Sequence, residues 1–116
     1  MKTLIIGAGG MIGRKLTAAL PGADLILHDV VPFEGASAVS DLSTPGEAEK
    51  LLASRPQLIF HLGAVVSGEA EADFEKGYRV NLDGTRLLFE AIRKANYKPR
   101  VVFTSSIAVF GAPFPD

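Results

Sequence analysis

Short apolar runs alternate along the chain with longer stretches in which apolar residues recur every three or four positions. Short runs bounded by turn residues are typical of buried strands, and the wider spacing is typical of amphipathic helices. The runs predict strands near residues 2–6, 24–28, 37–40, 57–62 and 100–105. The helical spacing predicts helices near residues 11–20, 46–54 and 70–96. This alternation favours an α/β fold, a doubly wound parallel sheet of about five strands with helices on both faces.

Turn residues predict where two of the helices begin or end. Pro21-Gly22 is expected to end the first helix. Thr44-Pro45-Gly46-Glu47 has the pattern of a capping box. In this interpretation, Thr44 caps the second helix and Pro45 is its first residue.

A glycine-rich turn joins the first predicted strand to the first predicted helix. It reads Gly7-Ala8-Gly9-Gly10-Met11-Ile12-Gly13, and Gly7, Gly10 and Gly13 have G-x-x-G-x-x-G spacing. Such a turn exposes backbone N–H groups at the positive end of a helix dipole, which suits a pyrophosphate. The sequence therefore predicts a Rossmann-type dinucleotide site that includes Gly7, Gly10, Met11, Ile12 and Gly13. A tight turn that only allows close packing is the alternative.

An acidic residue follows the second predicted strand. Asp29 lies 22 residues after Gly7, near the interval of about 20 at which a carboxylate binds the adenosine ribose of a dinucleotide. Residues 30–33 include no arginine or lysine that would neutralise a 2′-phosphate. Asp29 therefore favours NAD over NADP as the cofactor. A solvated acid at a strand end is the alternative.

Composition excludes several classes of protein. A chain of 116 residues is expected to be one domain, and its net charge of −1 includes no basic patch for nucleic acid. No apolar run approaches the roughly 20 residues of a membrane span. The absence of cysteine excludes a thiolate metal site, and no metal site is predicted. Cysteine-free composition suits a cytoplasmic protein.

Small and polar residues follow the fourth and fifth predicted strands. Ligands of open α/β sheets lie beyond the carboxyl ends of the strands. Thr104-Ser105-Ser106 would therefore bring hydroxyl groups to the nicotinamide. The fourth strand ends in His61-Leu62-Gly63-Ala64, whose two small residues would let the cofactor lie close to the backbone. His61 lies within an apolar strand, where a buried and hydrogen-bonded structural histidine is favoured over a catalytic one.

The predicted long helix carries one polar residue within an apolar stripe. The stripe consists of positions spaced by three or four, namely Phe74, Tyr78, Asn81, Thr85, Leu88 and Ile92. A buried amide costs free energy unless it is hydrogen-bonded. Asn81 is therefore expected to hold a backbone group, a water or a neighbouring site, and a purely structural role stays open.

Taken together, these motifs resemble the extended short-chain dehydrogenases, the NAD-dependent epimerase/dehydratase family. The resemblance rests on the glycine turn, Asp29, Asp41-Leu42, His61-Leu62-Gly63-Ala64, Val80-Asn81-Leu82-Asp83-Gly84-Thr85 and the segment from Phe103 to Gly111. It covers essentially the whole chain but only the amino-terminal part of such an enzyme. We therefore expect residues 1–116 to be an NAD-binding domain whose substrate region is absent.

The resemblance implies a role for each matching position. The glycine turn would hold the pyrophosphate and Asp29 the adenosine ribose, while Asp41 and Leu42 would flank the adenine. Cofactor contacts are also implied for Leu62, Gly63, Ala64 and Thr104. Ser106 would hydrogen-bond the reacting hydroxyl, Asn81 would support the active-site geometry, and Ser67 would face the substrate.

One family motif is missing. The general base of the family is the tyrosine of Tyr-x-x-x-Lys, which follows the serine. Here Tyr78 and Tyr97 both precede Ser106, and neither has a lysine four residues later. The resemblance favours an enzyme that oxidises the C2 hydroxyl of a four-carbon sugar acid with NAD and is a homodimer at full length. A nucleotide-sugar epimerase or dehydratase and a non-catalytic dinucleotide-binding module stay open.

Overall fold

A computed structural model of the chain describes residues 1–20, 24–62 and 83–103. The strands are β1 (Lys2–Ile6), β2 (Asp24–Asp29), β3 (Ala38–Val39), β4 (Leu58–His61) and β5 (Arg100–Phe103), and the helices are α1 (Met11–Ala19), α2 (Glu47–Leu52) and α3 (Gly84–Ala95). The predicted elements in these ranges are all present, and the ends that lie on described residues differ from the prediction by at most two residues. The predicted end of the fifth strand, at residues 104–105, lies outside the described residues. The predicted helix start at residue 70 and the Pro21-Gly22 turn lie outside the described residues.

The five strands form one parallel sheet in the order β3-β2-β1-β4-β5. From the central strand β1, the sheet extends to one side through β2 and β3 and to the other side through β4 and β5. The chain changes direction across the sheet between β3 and β4. Because crossovers between parallel strands are right-handed, this reversal puts α1 on one face and α2 and α3 on the other. The carboxyl ends of β1, β2 and β4 border the crevice where the direction reverses, which is where doubly wound folds bind ligands.

The main hydrophobic core lies between the sheet and the pair α2 and α3. Its buried residues are Leu4, Ile6, Leu42, Ala48, Leu51, Leu52, Ile59, Leu88 and Ala91. The register of the sheet explains which strand residues belong to it: Leu4 pairs with Ile59, and neighbours in parallel register point to the same face. Thr3 and Ile5 point to the α1 face and are also buried. The doubly wound sheet predicted from the sequence is confirmed.

The predicted capping box at the start of α2 is wrong. The helix begins at Glu47, its N-cap is Gly46, and no side chain caps it. Gly46 has φ 91° and ψ −17°, and the Glu47 N–H donates to the Thr44 oxygen at 3.3 Å. These values describe a type II turn, which favours proline at its second position and glycine at its third. Pro45-Gly46 therefore forms a turn before the helix instead of its first residues.

No helix in the three described ranges is long and apolar enough to cross a membrane. The same ranges hold no group of three or more histidine and carboxylate side chains that could bind a metal ion.

Candidate cofactor-binding site

Hydrogen bonds to the neighbouring strand fix the shape of the glycine turn. The N–H groups of Gly7 and Ala8 both donate to the main-chain oxygen of His28 at 2.8 Å. Gly7 has φ 89°, a backbone conformation that favours glycine. The chain can therefore leave β1, turn against the end of β2 and enter α1 within a few residues.

No side chain of the described residues caps the amino terminus of α1. Gly10 is the N-cap, no side chain caps the helix, and the first turn has no acidic residue. The first N–H groups of a helix have no partner inside the helix, so those of Met11, Ile12 and Gly13 are available to an anion. The side chains of Met11 and Ile12 are exposed.

The glycines of this turn serve different purposes. A Cβ on Gly13 would lie 2.6 Å from the Ala8 Cα, so α1 can pack on the turn only without a side chain there. A Cβ on Gly10 would meet nothing closer than the Gly7 oxygen at 3.6 Å. The space in front of Gly10 is therefore open for a ligand, whereas Gly13 is required for packing.

Asp29 lies at the end of β2 and faces the glycine turn. Its Oδ2 accepts the Gly9 N–H at 3.0 Å, and its Oδ1 accepts the Val30 N–H at 2.7 Å. A carboxylate oxygen has two lone pairs, so each oxygen can still accept one ribose hydroxyl. The two amides hold the carboxylate in one orientation, and exposed Val30 and Val31 follow it in place of basic residues.

Sequence reasoning missed two residues of this region. The Gly9 N–H donates to Asp29, and a Cβ on Gly9 would lie 3.0 Å from both the Asp29 Oδ2 and the Phe33 ring, so these side chains would have to shift. Arg14 donates from Nε to the Gly9 oxygen at 2.8 Å. The surplus glycine in the motif was a signal for the first contact, whereas nothing in the sequence indicates the second.

A second turn lies beside the end of β2. The Asp41 Oδ1 accepts the Ser43 N–H at 2.9 Å and the Ser43 hydroxyl at 2.6 Å. The Leu42 side chain is only 7% exposed and belongs to the main core. Little of Leu42 is thus left to face an adenine, and the adenine contacts of Asp41 and Leu42 stay predictions.

The two histidines are both buried on the core face of the sheet. Ile6 pairs with His28 on one side and with His61 on the other. The His61 Nε2 lies 3.1 Å from the Thr85 Oγ1, and its ring lies 4.8 Å from the Phe103 ring. The buried, hydrogen-bonded His61 expected from the sequence is confirmed. The inward-facing stripe is confirmed for its described members: Leu88 and Ile92 pack in the core, and Thr85 bonds to His61.

Burial lowers the pKa of both histidines below the ordinary value. For His28, the hydrogen bond to Ser40 and the charges of Asp29 and Glu47 only partly offset the lowering of the pKa. The pKa of His61 is lowered further by the proximity of His28. Both side chains are therefore neutral at neutral pH.

The end of β4 reaches the same crevice. The Leu62 N–H donates to the Ile6 oxygen at 2.8 Å, which holds Leu62 beside the start of the glycine turn. The remaining candidate residues, Gly63, Ala64, Ser67, Asn81, Thr104 and Ser106, lie outside the described residues, and their roles stay predictions.

The described residues fit a dinucleotide. The open space at Gly10 and the uncapped start of α1 suit a pyrophosphate, and the Asp29 carboxylate suits a ribose. Both features lie at the crevice of a doubly wound sheet, where such a ligand is expected.

Comparisons with known proteins agree with this fit. The sequence model of the NAD dependent epimerase/dehydratase family matches residues 3–116. A D-erythronate dehydrogenase of Cupriavidus necator is 40% identical over 99% of this chain, and one of Haemophilus influenzae is 36% identical over the whole chain. The chain spans 41% of the length of each of these two relatives.

Two solved structures have the same fold. A nucleoside-diphosphate-sugar epimerase from Agrobacterium tumefaciens has a TM-score of 0.84 and 57% identity, over 99% of this chain and 40% of that chain. A short-chain dehydrogenase/reductase superfamily protein from the same organism, solved with bound NAD, has a TM-score of 0.81 and 31% identity, over 96% of this chain and 34% of that one. With the family match over nearly its full length, the chain belongs to the NAD-dependent epimerase/dehydratase family.

Proposed function

We propose that the chain is the cofactor-binding portion of an NAD-dependent dehydrogenase that oxidises the C2 hydroxyl of a four-carbon sugar acid such as D-erythronate. The observation that carries the cofactor half is the Asp29 carboxylate, which two amides orient beside the glycine turn. The substrate half is supported by the two D-erythronate dehydrogenases that match essentially the whole chain.

The chemistry divides between the cofactor and the protein. Bound NAD supplies the hydride acceptor. The glycine turn would hold the pyrophosphate, and Asp29 would accept hydrogen bonds from the ribose. Ser106 would hydrogen-bond the reacting hydroxyl and orient it, and Ser67 would contact the substrate. Asn81 would support the geometry of the active site.

Oxidation of the substrate hydroxyl requires a base that accepts its proton. The tyrosine of Tyr-x-x-x-Lys, which is the base of the family, does not occur after Ser106 in these 116 residues. Tyr97 is at the opposite edge of the sheet, and burial raises its pKa, which makes it a poor base at neutral pH. His61 is buried and bonded to Thr85. We therefore propose that the 116-residue chain binds NAD without turning over substrate.

A nucleotide-sugar epimerase is the second candidate. It is favoured by the 57% identity to a structure described as a nucleoside-diphosphate-sugar epimerase. The part of the relatives' length that this chain does not span would distinguish the two enzymes.

We also propose that the full-length enzyme is a cytoplasmic homodimer that binds neither nucleic acid nor membranes. The net charge of −1 supports the absence of a nucleic-acid surface.

Turnover assays with two forms of the protein test the proposal. We expect the 116-residue chain to bind NAD but to form no NADH with four-carbon sugar acids. A chain extended through a downstream Tyr-x-x-x-Lys and the substrate region should form NADH, and Ser106→Ala should lower that rate about 100-fold or more. Clear turnover by the 116-residue chain would contradict the assigned chemistry. NAD binding without turnover in the extended chain would favour the non-catalytic module.

A further inference from the structure

His28 makes two sets of hydrogen bonds that lead to different parts of the candidate site. Its main-chain oxygen accepts the N–H groups of Gly7 and Ala8. Its Nε2 lies 3.0 Å from the main-chain oxygen of Ser40 and 3.1 Å from the Ser40 hydroxyl. One residue at the end of β2 thus contacts both the glycine turn and the turn that leads to Asp41.

The tautomer of His28 follows from these contacts. A carbonyl oxygen only accepts hydrogen bonds, so the Nε2 that faces the Ser40 oxygen carries the proton. Nδ1 is then an acceptor, and it has no hydrogen-bond partner among the described residues. The opposite tautomer would bury an unpartnered N–H and set Nε2 against a carbonyl lone pair. His28 is therefore a fixed donor to Ser40.

Burial keeps this donor neutral and in place. The side chain is 1% exposed. The charged or titratable groups that act on it are Asp29 of its own strand, Glu47 of α2 and His61 of β4. Because burial lowers the pKa of His28, the neutral ring that donates to Ser40 is the form present at neutral pH.

We propose that His28 is a positioning residue for the adenosine half of the cofactor. The Ser40 N–H already donates to the Asp29 main-chain oxygen at 3.1 Å, and the His28 side chain adds a second link to Ser40. This second link keeps the turn of residues 40–43 where Asp29 and Asp41 can contact one nucleotide. Asp41 follows Ser40 directly and is bonded to Ser43, so a displacement of Ser40 displaces Asp41 as well. The inference rests on the proposed function, because it requires that NAD binds at this edge of the sheet with its adenosine half beside Asp29 and Asp41.

The test compares His28→Gln with His28→Asn, using adenosine monophosphate and NAD as probes. The amide nitrogen of glutamine reaches the place of Nε2 and donates to Ser40, whereas that of the shorter asparagine does not. We expect His28→Asn to lower the affinity for both probes about 3- to 10-fold, which corresponds to the loss of one hydrogen bond. His28→Gln should stay within about twofold of the wild type, because its bond to Ser40 is kept.

His61→Asn is the matched control. His61 is also buried and lies on the same face, across β1 from His28, but its ring bonds to Thr85. This variant should lose stability and keep the wild-type affinity for adenosine monophosphate. An affinity loss in His61→Asn as large as that in His28→Asn would overturn the proposal, because any buried histidine would then have the same effect.

Two further results would overturn the positioning role of His28 and leave the proposed function intact. One is a wild-type affinity for both probes in His28→Asn, and the other is an equal loss of affinity in His28→Gln and His28→Asn. If His28→Asn does not fold, the wild type still decides, by NMR. The Nε2 proton of His28 should exchange more slowly with solvent when adenosine monophosphate binds, and unchanged exchange would overturn the role. A wild-type chain that does not bind NAD would instead overturn the proposed function.

Discussion

The two edges of the sheet use the ends of helices in opposite ways. At the carboxyl edge, α1 begins without a side-chain cap, and its first N–H groups are available. At the amino edge, the end of α3 is held by Arg55, which donates to the main-chain oxygens of Ala95 at 2.9 Å and Asn96 at 3.5 Å. The Arg55 guanidinium also lies 4.6 Å from the centre of the Tyr97 ring. Ligand binding and stability thus depend on different edges of the sheet. At the carboxyl edge, the N–H groups of α1 are left for a ligand, whereas at the amino edge Arg55 donates to the oxygens at the end of α3.

Substitutions at two glycines of the carboxyl edge should separate these properties most clearly. Gly13→Ala would bring a Cβ to 2.6 Å from the Ala8 Cα, and we expect it to lower the free energy of unfolding by about 3 kcal/mol. Gly10→Val should instead abolish NAD binding and leave the fold largely intact. Its backbone at φ −77° and ψ 176° suits valine, whose side chain would fill the open space. Urea denaturation and NAD titration measure the two effects.

Two results would contradict the separate roles of Gly10 and Gly13. Normal NAD affinity in a folded Gly10→Val variant would mean that the turn serves packing alone. A Gly13→Ala variant as stable as the wild type would mean that α1 can move away from the turn at no cost.

Removal of the Asp29 carboxylate should have the next largest effect. Asp29→Ala removes the acceptor for the ribose and the partner of the Gly9 N–H. We expect NAD affinity to fall about 10- to 100-fold, as for hydrogen bonds to a charged group, and the preference for NAD over NADP to narrow. Asp24→Ala is the control, because Asp24 begins the same strand at the other edge of the sheet. A similar loss in both variants would refute a specific role for Asp29.

Arg55→Ala should affect stability and spare binding. It removes the bonds to the end of α3 and the contact with Tyr97. We expect the free energy of unfolding to fall by about 1–2 kcal/mol, with no change in the dissociation constant for NAD. Arg93→Ala, at an exposed position in the last turn of α3, is the control for loss of charge. Weakened NAD binding in Arg55→Ala would show that the two edges are coupled.

Acid should lower the stability of the chain through its two histidines. Burial lowers the pKa of His28 and His61 in the folded state, whereas the unfolded chain has the ordinary value of about 6.5. Their contribution to stability is therefore fully present above pH of about 6.5 and is lost as the pH falls from there through the lower folded-state pKa. Urea denaturation across this range should show the loss, and the double variant His28→Gln, His61→Gln should flatten it. A wild-type curve without a slope would contradict the burial of neutral histidines.

The sequence predicted the sheet well because its strands are short apolar runs bounded by turn or polar residues, and the central strand β1 is buried on both faces. It failed at the start of α2, where the turn preference of Pro45-Gly46 outweighed the capping pattern. Local pattern could not reveal the Arg55 contacts, which join residues about 40 positions apart.

The candidate site was predicted unevenly. The placement of Gly7, Gly10, Gly13 and Asp29 beside one another follows from spacing, because a glycine turn and a strand-end acid are fixed in sequence as well as in space. Their contacts with the cofactor stay predictions. The bonds of His28 to Ser40 depend on how β2 and β3 pair, and no local pattern encodes that. Contacts of Ser67, Asn81, Thr104 and Ser106 stay predictions.

Parallel titrations of the wild-type chain with NAD and NADP test the central claim most directly. Asp29 is held beside the glycine turn, and no arginine or lysine occurs in residues 30–33. A 2′-phosphate would therefore meet a carboxylate, and we predict that NAD binds at least about tenfold more tightly than NADP at equal pH and ionic strength. Comparable dissociation constants would contradict the account and would implicate Arg14, whose guanidinium contacts the same turn.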